Sequence, residues 1–287
     1  MKKLAILSGY NILLFGLLAF QAEAIVIRHD KPAENYLAKA TDFPPLATFY
    51  KIGVHGTLIA PEWVLTAAHT VFCLGEGQPI KIGEEIAIVQ ARYSYPSYQL
   101  GGSHDLALIK LAKPVLSVAP AKLYRQQDEK NQHLWFIGSG GTGNGLTGET
   151  VGYKENNGVL RKAQNQVSAV TSSDLQFVFD TNDKALELEG VSGNGDSGGP
   201  AFIQKSDGYY LLGVSSRVDS WFKDVGEYGV KELYTRVSSH VSWIEQVMAA
   251  DSKTRASISS TDSFLHEGMQ AAEMPQLCAN LSISQKS

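Results

Sequence analysis

The sequence predicts a globular protein rich in β-strands and turns, and three observations support this. The chain has 287 residues, 44% hydrophobic and 19% charged, an ordinary balance for a folded protein. Glycine occurs 27 times, which favours frequent turns. Short apolar stretches are separated by Gly, Pro and Asp, as expected for strands joined by turns. The length allows one large domain or two small ones.

Several strands can be placed from the pattern alone. Short strands are expected over residues 43–49, which are entered from a Pro-rich turn, over residues 56–60, which end before Pro61, and over Trp63–Thr66. A further strand, expected over residues 106–111, follows Asp105. Both alternating sets of its side chains are apolar for most of its length, which predicts a strand buried on both faces.

The N-terminus has the organisation of a secretory signal peptide. The chain begins Met-Lys-Lys, residues 4–20 are mostly apolar, and Ala22-Glu23-Ala24 fits a small-x-small cleavage site. We therefore expect residues 1–24 to be removed and the protein to be exported, from a bacterium, to the periplasm or the medium. A retained membrane anchor is the weaker alternative, because the apolar stretch is short and interrupted by polar residues.

Charge and ligand patterns exclude several classes of function. The formal net charge is -4, and there is no run of like charges of the kind that binds nucleic acid or a membrane surface. We expect neither of these partners once the signal peptide is removed. There is also no Cys, His or carboxylate spacing typical of a metal site.

The chain contains only two cysteines, Cys73 and Cys278. In an exported protein such a pair predicts one disulfide, here closing a very long loop. That bond would tie the C-terminal tail to the segment around Cys73. Two free buried thiols are the alternative.

The stretch 193–200, Gly-Asn-Gly-Asp-Ser-Gly-Gly-Pro, carries the strongest chemical signal. A plain surface turn is the simplest interpretation of such a sequence. However, Gly195 allows a turn in which its own amide and that of Ser197 point at one spot. Two convergent amides beside a hydroxyl are what a tetrahedral oxyanion requires. Gly198 and Gly199 leave room for a substrate chain to approach.

A serine hydroxyl needs a base and a group that orients the base. His69 directly follows a buried strand and two alanines, which leave space for an imidazole. Asp105 begins a buried strand, where a carboxylate is costly without a partner. Neighbouring His104 would point to the opposite face of the strand, so His69 is the better partner. The sequence thus predicts that Asp105 orients His69 and that His69 takes the proton of Ser197.

These segments resemble the trypsin/chymotrypsin family of serine endopeptidases. The residues that carry the resemblance are Leu65-Thr66-Ala67-Ala68-His69, Asp105-Leu106-Ala107-Leu108-Ile109 and Gly195-Asp196-Ser197-Gly198-Gly199-Pro200, with weaker matches at 136–140, 212–216, 234–237 and 241–244. The resemblance covers residues 25–248. It implies two six-stranded antiparallel β-barrels with the active site in the cleft between them, and a short C-terminal helix. It also implies that the substrates are proteins or peptides and that no cofactor is needed. The sequence leaves open an inhibitor protein as a further partner.

The resemblance also implies domain boundaries and a mode of activation. The barrels would occupy roughly residues 25–130 and 131–248, followed by an extension over residues 249–287. In the family, a new N-terminal amine pairs with the aspartate before the nucleophile. Here that pair would be Ile25 and Asp196, so signal peptidase itself would make the active N-terminus. Ile27-Arg28 stands where the family usually has two glycines, which is a departure in the entering strand.

The specificity pocket is predicted by the same resemblance. Val191 stands where trypsin-like members have an aspartate, which argues against a simple Arg or Lys preference. Val218 would narrow the pocket, as in elastase-like members. Glu232 aligns near another wall position and could attract a basic side chain; a solvated charge at a strand end is the alternative. Small or medium apolar side chains are therefore expected, with basic ones as the rival. Ser216 would hydrogen-bond Asp105.

Two functions are alternatives to a serine endopeptidase. A catalytically silent binding protein on the same fold is one rival, although such members usually lose a triad residue and none is missing here. An esterase is the other, but its usual order of Ser, Asp and His is reversed here.

The six histidines other than His69 have no motif around them and are interpreted as surface or structural residues. In the tail, residues 263–272 could form a short amphipathic helix or a flexible segment.

Overall fold

The computed structural model describes residues 25–219, 223–260, 262, 264–266 and 268–284. The strands in these residues are β1 (Ile25–Ile27), β2 (Leu46–Tyr50), β3 (Gly53–Ala60), β4 (Trp63–Thr66), β5 (Pro79–Ile82), β6 (Glu85–Ser94), β7 (Ala107–Leu111), β8 (Lys122–Leu123), β9 (His133–Gly138), β10 (Thr142–Asn144), β11 (Gly148–Val151), β12 (Arg161–Val170), β13 (Asp174–Val178), β14 (Gly190–Val191), β15 (Pro200–Lys205), β16 (Gly208–Asp219) and β17 (Lys231–Arg236). The α-helices are α1 (Tyr153–Asn156), α2 (Val241–Ala249), α3 (Ser252–Ile258) and α4 (Met274–Leu281).

The first barrel is closed by six strands in the order β2-β3-β4-β7-β6-β5. The apolar side chains on both faces of β7 explain why this strand lies inside the fold. Ala107, Ile109 and Leu111 point into the core of this barrel. Leu106 and Leu108 belong to a separate cluster on the opposite side. The expectation that this strand is buried on both faces is therefore confirmed.

The second barrel is formed by a sheet in the order β15-β9-β12-β13-β17-β16, and it closes because β15 also pairs with β16. Its core is aromatic: Phe136 stacks on Tyr234, and Phe177 contacts both rings edge-on. Offset and edge-on ring contacts add to the gain from burying their apolar area. The predicted fold of two six-stranded antiparallel barrels is confirmed.

A third apolar cluster joins the two barrels. It combines Leu65 and Leu108 of the first barrel with Val214 of the second, and α2 adds Ile244 and Val247. The short C-terminal helix of the predicted fold thus packs on this junction. Because the barrels are held together here, loops from both of them meet in one cleft.

Strand β1 comes first in the sequence but lies with the second barrel. It pairs in parallel with β10 and antiparallel with β14, and Val26 lies opposite Val191. Its three residues are buried. The first barrel itself begins at β2, so residue 25 is not its start in space. The expected signal peptide, residues 1–24, lies outside the described residues.

The C-terminal extension packs against the first barrel. Cys73 and Cys278 form a disulfide. The helix considered for residues 263–272 is not found where the structure describes that stretch; the helix is α4 instead. Gly268 has φ of +83°, which is incompatible with a right-handed helix at that residue, and Pro275 lies in the first turn of α4, a favourable place for proline. Within the described ranges, no helix is long and apolar enough to cross a membrane.

Candidate active site

His69 and Asp105 form a buried hydrogen-bonded pair at the edge of the first barrel. His69 lies in a 3-10 turn that follows β4, and Asp105 lies just before β7; the two strands are neighbours. The imidazole Nδ1 lies 2.6 Å from Asp105 Oδ2. The backbone amide of His69 also donates to Asp105 Oδ1 at 3.0 Å. With Nδ1–H donated to the carboxylate, Nε2 is left as the basic nitrogen.

Other groups fix Asp105 in turn. The Ser216 hydroxyl donates to Asp105 Oδ2 at 2.8 Å, and the Thr235 hydroxyl donates to the Asp105 carbonyl at 2.9 Å. Burial by itself raises the pKa of Asp105, but the His69 ring and the hydrogen bonds from His69 and Ser216 outweigh it. The pKa of this carboxyl therefore lies below its usual value, and the group is ionised at neutral pH.

Ser197 lies on the loop between β14 and β15, and β3 holds this loop in place. The amides of Val54 and His55 donate to the carbonyls of Gly195 and Ser197, at 2.7 and 2.9 Å. Gly195 has φ of +94°, a conformation that favours glycine. Ser197 and His69 line the same cavity, so the second barrel brings the serine to the histidine of the first.

The carboxylate of Asp196 is buried beneath this loop. Gly140 and Gly193 donate their amides to its two oxygens, at 2.6 and 2.9 Å. Burial raises the pKa of Asp196 to about 7. Ile25 is not a chain terminus here and has no free amine, and its carbonyl accepts from the Thr142 hydroxyl. Thr142 is also its partner in β10, close in sequence to Gly140, so the two predicted activation residues lie in one neighbourhood.

Two amides at the loop are available to a ligand. Among the described residues, neither the Gly195 amide nor the Ser197 amide has an acceptor. A neighbouring contact was not predicted: the Glu149 carboxylate accepts from the Asn194 amide at 2.6 Å. Burial raises the pKa of Glu149. Because this pairing joins β11 to a loop far along the chain, no local sequence signal could reveal it.

A cavity of about 230 Å³ lies beside Ser197 and contains three of the predicted pocket residues, Ser216, Val218 and Glu232. Val218 and Glu232 are directly opposite each other on β16 and β17. Glu232 is 2% exposed, so the alternative of a solvated strand end is wrong. Its Oε2 accepts from the Ser192 amide at 3.0 Å, and burial raises its pKa to about 8.

Val191 was expected at the base of this pocket, but the structure places it elsewhere. It is fully buried, in a cluster with Val26, Phe179 and Val230. Val191 lies opposite Val26 of β1 and packs with it, whereas the next residue, Ser192, lines the cavity, as expected when successive side chains alternate.

The remaining histidines fall into two groups. His55 is fully buried and accepts from the Ser139 amide, and His104 Nδ1 lies 2.9 Å from His240 Nε2, so these three are structural as expected. At the surface are His29 and His133. The exception is His266, whose Nε2 lies 2.8 Å from the carbonyl of His69. Its place beside the candidate active site was not predicted.

A double β-barrel with a serine, a histidine and an aspartate at the junction defines a class of serine peptidases. The family model described as Trypsin matches residues 35–244. The chain belongs to the trypsin family.

Two relatives agree with this assignment. The chain is 29% identical over 237 residues to Phenoloxidase-activating factor 3 of Holotrichia diomphalia, a match that covers 68% of this chain and 63% of that protein. It is 30% identical over 228 residues to Serine protease SSP1 of Scolopendra subspinipes, covering 70% of this chain and 76% of that protein. The match thus spans less than two thirds of the first relative.

Proposed function

We propose that this protein is an exported serine endopeptidase that uses Ser197, His69 and Asp105. One observation carries the proposal: His69 is held by the buried Asp105 through Nδ1 and lines the same cavity as Ser197. With Nδ1 held by Asp105, Nε2 is the nitrogen that would accept the proton of the serine hydroxyl in general-base catalysis.

The reaction follows from these groups. Nε2 of His69 accepts the hydroxyl proton while Ser197 Oγ forms a bond to the substrate carbonyl carbon. The amides of Gly195 and Ser197 receive the oxyanion, and the Asp105 carboxylate stabilises the imidazolium. His69 then protonates the leaving amine as the C–N bond breaks. Water hydrolyses the acyl-enzyme by the same steps and restores the Ser197 hydroxyl.

The activation step is part of the proposal. A buried carboxylate whose pKa is raised by burial is a favourable partner for a cation. Cleavage after Ala24 creates an amine at Ile25, in the neighbourhood of Asp196. The ion pair would hold the Gly195 and Ser197 amides in place. We therefore assign the active N-terminus to Ile25 and the location of the enzyme to the periplasm or medium.

The nucleophile can be tested with a fluorophosphonate probe on the chain that begins at Ile25. We expect covalent labelling and cleavage of short peptides, and both should disappear in Ser197→Ala. Loss of a triad serine lowers turnover by about a millionfold in a comparable enzyme. Ser206→Ala, at an exposed position, is the matched control and should label like wild type.

The same experiment separates the rival functions. An absence of labelling and cleavage in a chain confirmed to begin at Ile25 would favour the silent binding protein. Labelling combined with cleavage of esters but of no peptide would favour the esterase.

A further inference from the structure

Ser197 lines two cavities, and each can receive a different part of a substrate. The first, described above, extends along β16. The second has a volume of about 410 Å³ and is also lined by Ser197 and Asn194. It lies on the side of His69, away from Glu232. Its volume is within the range of about 300–1,000 Å³ typical of binding sites.

The position of His69 decides which part of a substrate this second cavity can receive. His69 must reach the leaving nitrogen to protonate it. The chain after the scissile bond therefore departs on the His69 side of Ser197. The cavity along β16 is the specificity pocket that the family resemblance implies for the side chain before the bond, which leaves the second cavity for the residues after it.

The C-terminal extension forms one side of the second cavity. His266, Met269, Leu277 and Leu281 line it, together with Ile52, Phe72 and other residues of the protease domain. The wall is mainly apolar, so it favours the binding of an apolar side chain.

The extension is anchored on both sides of this wall. The Lys51 amide donates to the Leu281 carbonyl at 3.0 Å. The disulfide at Cys278 lies within α4, and its partner Cys73 ends the turn that carries His69. At the other end, Ser260 exchanges two backbone hydrogen bonds with Ser94. A wall fixed at both ends can discriminate between side chains, because little of it must be ordered when substrate binds.

We propose that the C-terminal extension forms the subsite for the residues that follow the scissile bond, and that this subsite selects an apolar side chain. The proposal rests on the proposed peptidase function. It makes the extension part of the substrate-binding surface and gives the disulfide a role in specificity.

The test uses the full chain that begins at Ile25 and internally quenched peptides identical before the scissile bond. The peptides carry Leu, Gln or Glu at the second position after it. We expect wild type to prefer Leu over Glu by at least about tenfold in kcat/KM, the discrimination typical of a hydrophobic pocket. Leu277→Gln and Met269→Gln should each reduce this ratio to about threefold or less. A peptide anilide, which has no residues after the bond, supplies the reference rate.

Leu116→Gln is the matched control, since Leu116 is 78% exposed and outside both cavities. It should keep the full preference for Leu. Equal cleavage of all three peptides by wild type, or an unchanged ratio in both cavity variants, would overturn the inference.

Peptide binding to Ser197→Ala distinguishes failure of this inference from failure of the peptidase proposal. This variant cannot form an acyl-enzyme, but it keeps the extension. Tighter binding of the Leu peptide than of the Glu peptide, combined with no cleavage by wild type, would refute the peptidase alone. Cleavage without any such preference in rate or binding would refute the subsite alone.

Discussion

Glu232 is a carboxyl group enclosed in the cavity beside Ser197. Burial raises its pKa to about 8, so at neutral pH the group is mostly protonated. A neutral Glu232 beside Val218 suits an apolar substrate side chain. An ionised Glu232 suits a basic one. The two preferences that the sequence left open can therefore belong to one pocket at different pH.

We predict that the kcat/KM of a Lys substrate relative to a Leu substrate rises as the pH increases through about 8. The sign follows from the raised pKa, since the carboxylate appears only above it. Pairs of peptides differing only in the residue before the scissile bond would measure this ratio.

Glu232→Gln should flatten that pH dependence, because its side chain does not ionise. Glu187→Gln removes an exposed carboxylate instead and should leave the ratio as in wild type. A ratio that is independent of pH in wild type would contradict this account of the pocket.

Asp105 offers a second residue-scale prediction. Asp105→Asn places an amide against Nδ1 of His69 and favours the tautomer with the proton on Nε2. That nitrogen then cannot accept from Ser197, and kcat should fall by about 10⁴-fold. Single-turnover acylation of a peptide ester would show the loss. Asp207→Asn, at an exposed pair with Lys122, should have no such effect.

At the scale of elements, the extension depends on the Cys73–Cys278 bond. We predict that Cys278→Ser lowers the free energy of unfolding by about 2–4 kcal/mol. Urea unfolding monitored by fluorescence would measure the change. Limited proteolysis should cut near α4 faster in the variant.

The double variant with Cys73→Ser is the control for this experiment. Because the bond is already absent in Cys278→Ser, the second change should add little. An unfolding curve for Cys278→Ser that coincides with that of wild type would show that noncovalent contacts alone hold the extension.

Some elements could be predicted from the sequence and others could not. Strand β4 has the predicted bounds, and β7 has the predicted two-sided burial, because alternation within a strand is a local property. Helix α4 was missed. It is partly buried, and it forms against a barrel that is remote in sequence and is joined to it at Cys73.

The candidate site likewise contains residues that the sequence predicted and residues that it did not. Three short segments predicted His69, Asp105 and Ser197, because the three occur together in one chain in the order His, Asp, Ser, although each alone is a weak or moderate signal. Glu149 and His266 gave no signal, because each acts through one backbone contact with a distant segment. Such contacts are decided by tertiary packing.

At the scale of the whole molecule, a free amine at Ile25 should change how stability depends on pH. Without it, Asp196 has a pKa of about 7 when folded and about 3.8 when unfolded. The unfolded chain then ionises first, so stability falls as pH rises from about 4 to 7. When the Ile25 amine is paired with Asp196, the ionised carboxylate is stabilised in the folded chain. The loss of stability with rising pH is then removed.

We predict that a chain beginning at Ile25 and one extended by Ala24 have similar stability near pH 4. The shorter chain should be more stable by about 2–4 kcal/mol at pH 7. Denaturant unfolding at a series of pH values would measure the difference. In the Asp196→Asn background, the difference in unfolding free energy between the two chains should not grow with pH. A difference that still grows would show that another group causes the effect.

If the chain is cleaved after Ala24 as proposed, the position of β1 constrains when that cleavage can occur. Ile25 is 1% exposed and Val26 is fully buried between β10 and β14, both of which follow much later in the chain. A processing enzyme must bind this stretch as an unpaired, extended segment. In the folded sheet the stretch is already paired with β10 and β14. Under the proposed cleavage after Ala24, the leader would therefore be removed before the second barrel closes. On this proposal, a precursor that folds first could no longer be cleaved, so the rate of folding would compete with the rate of processing.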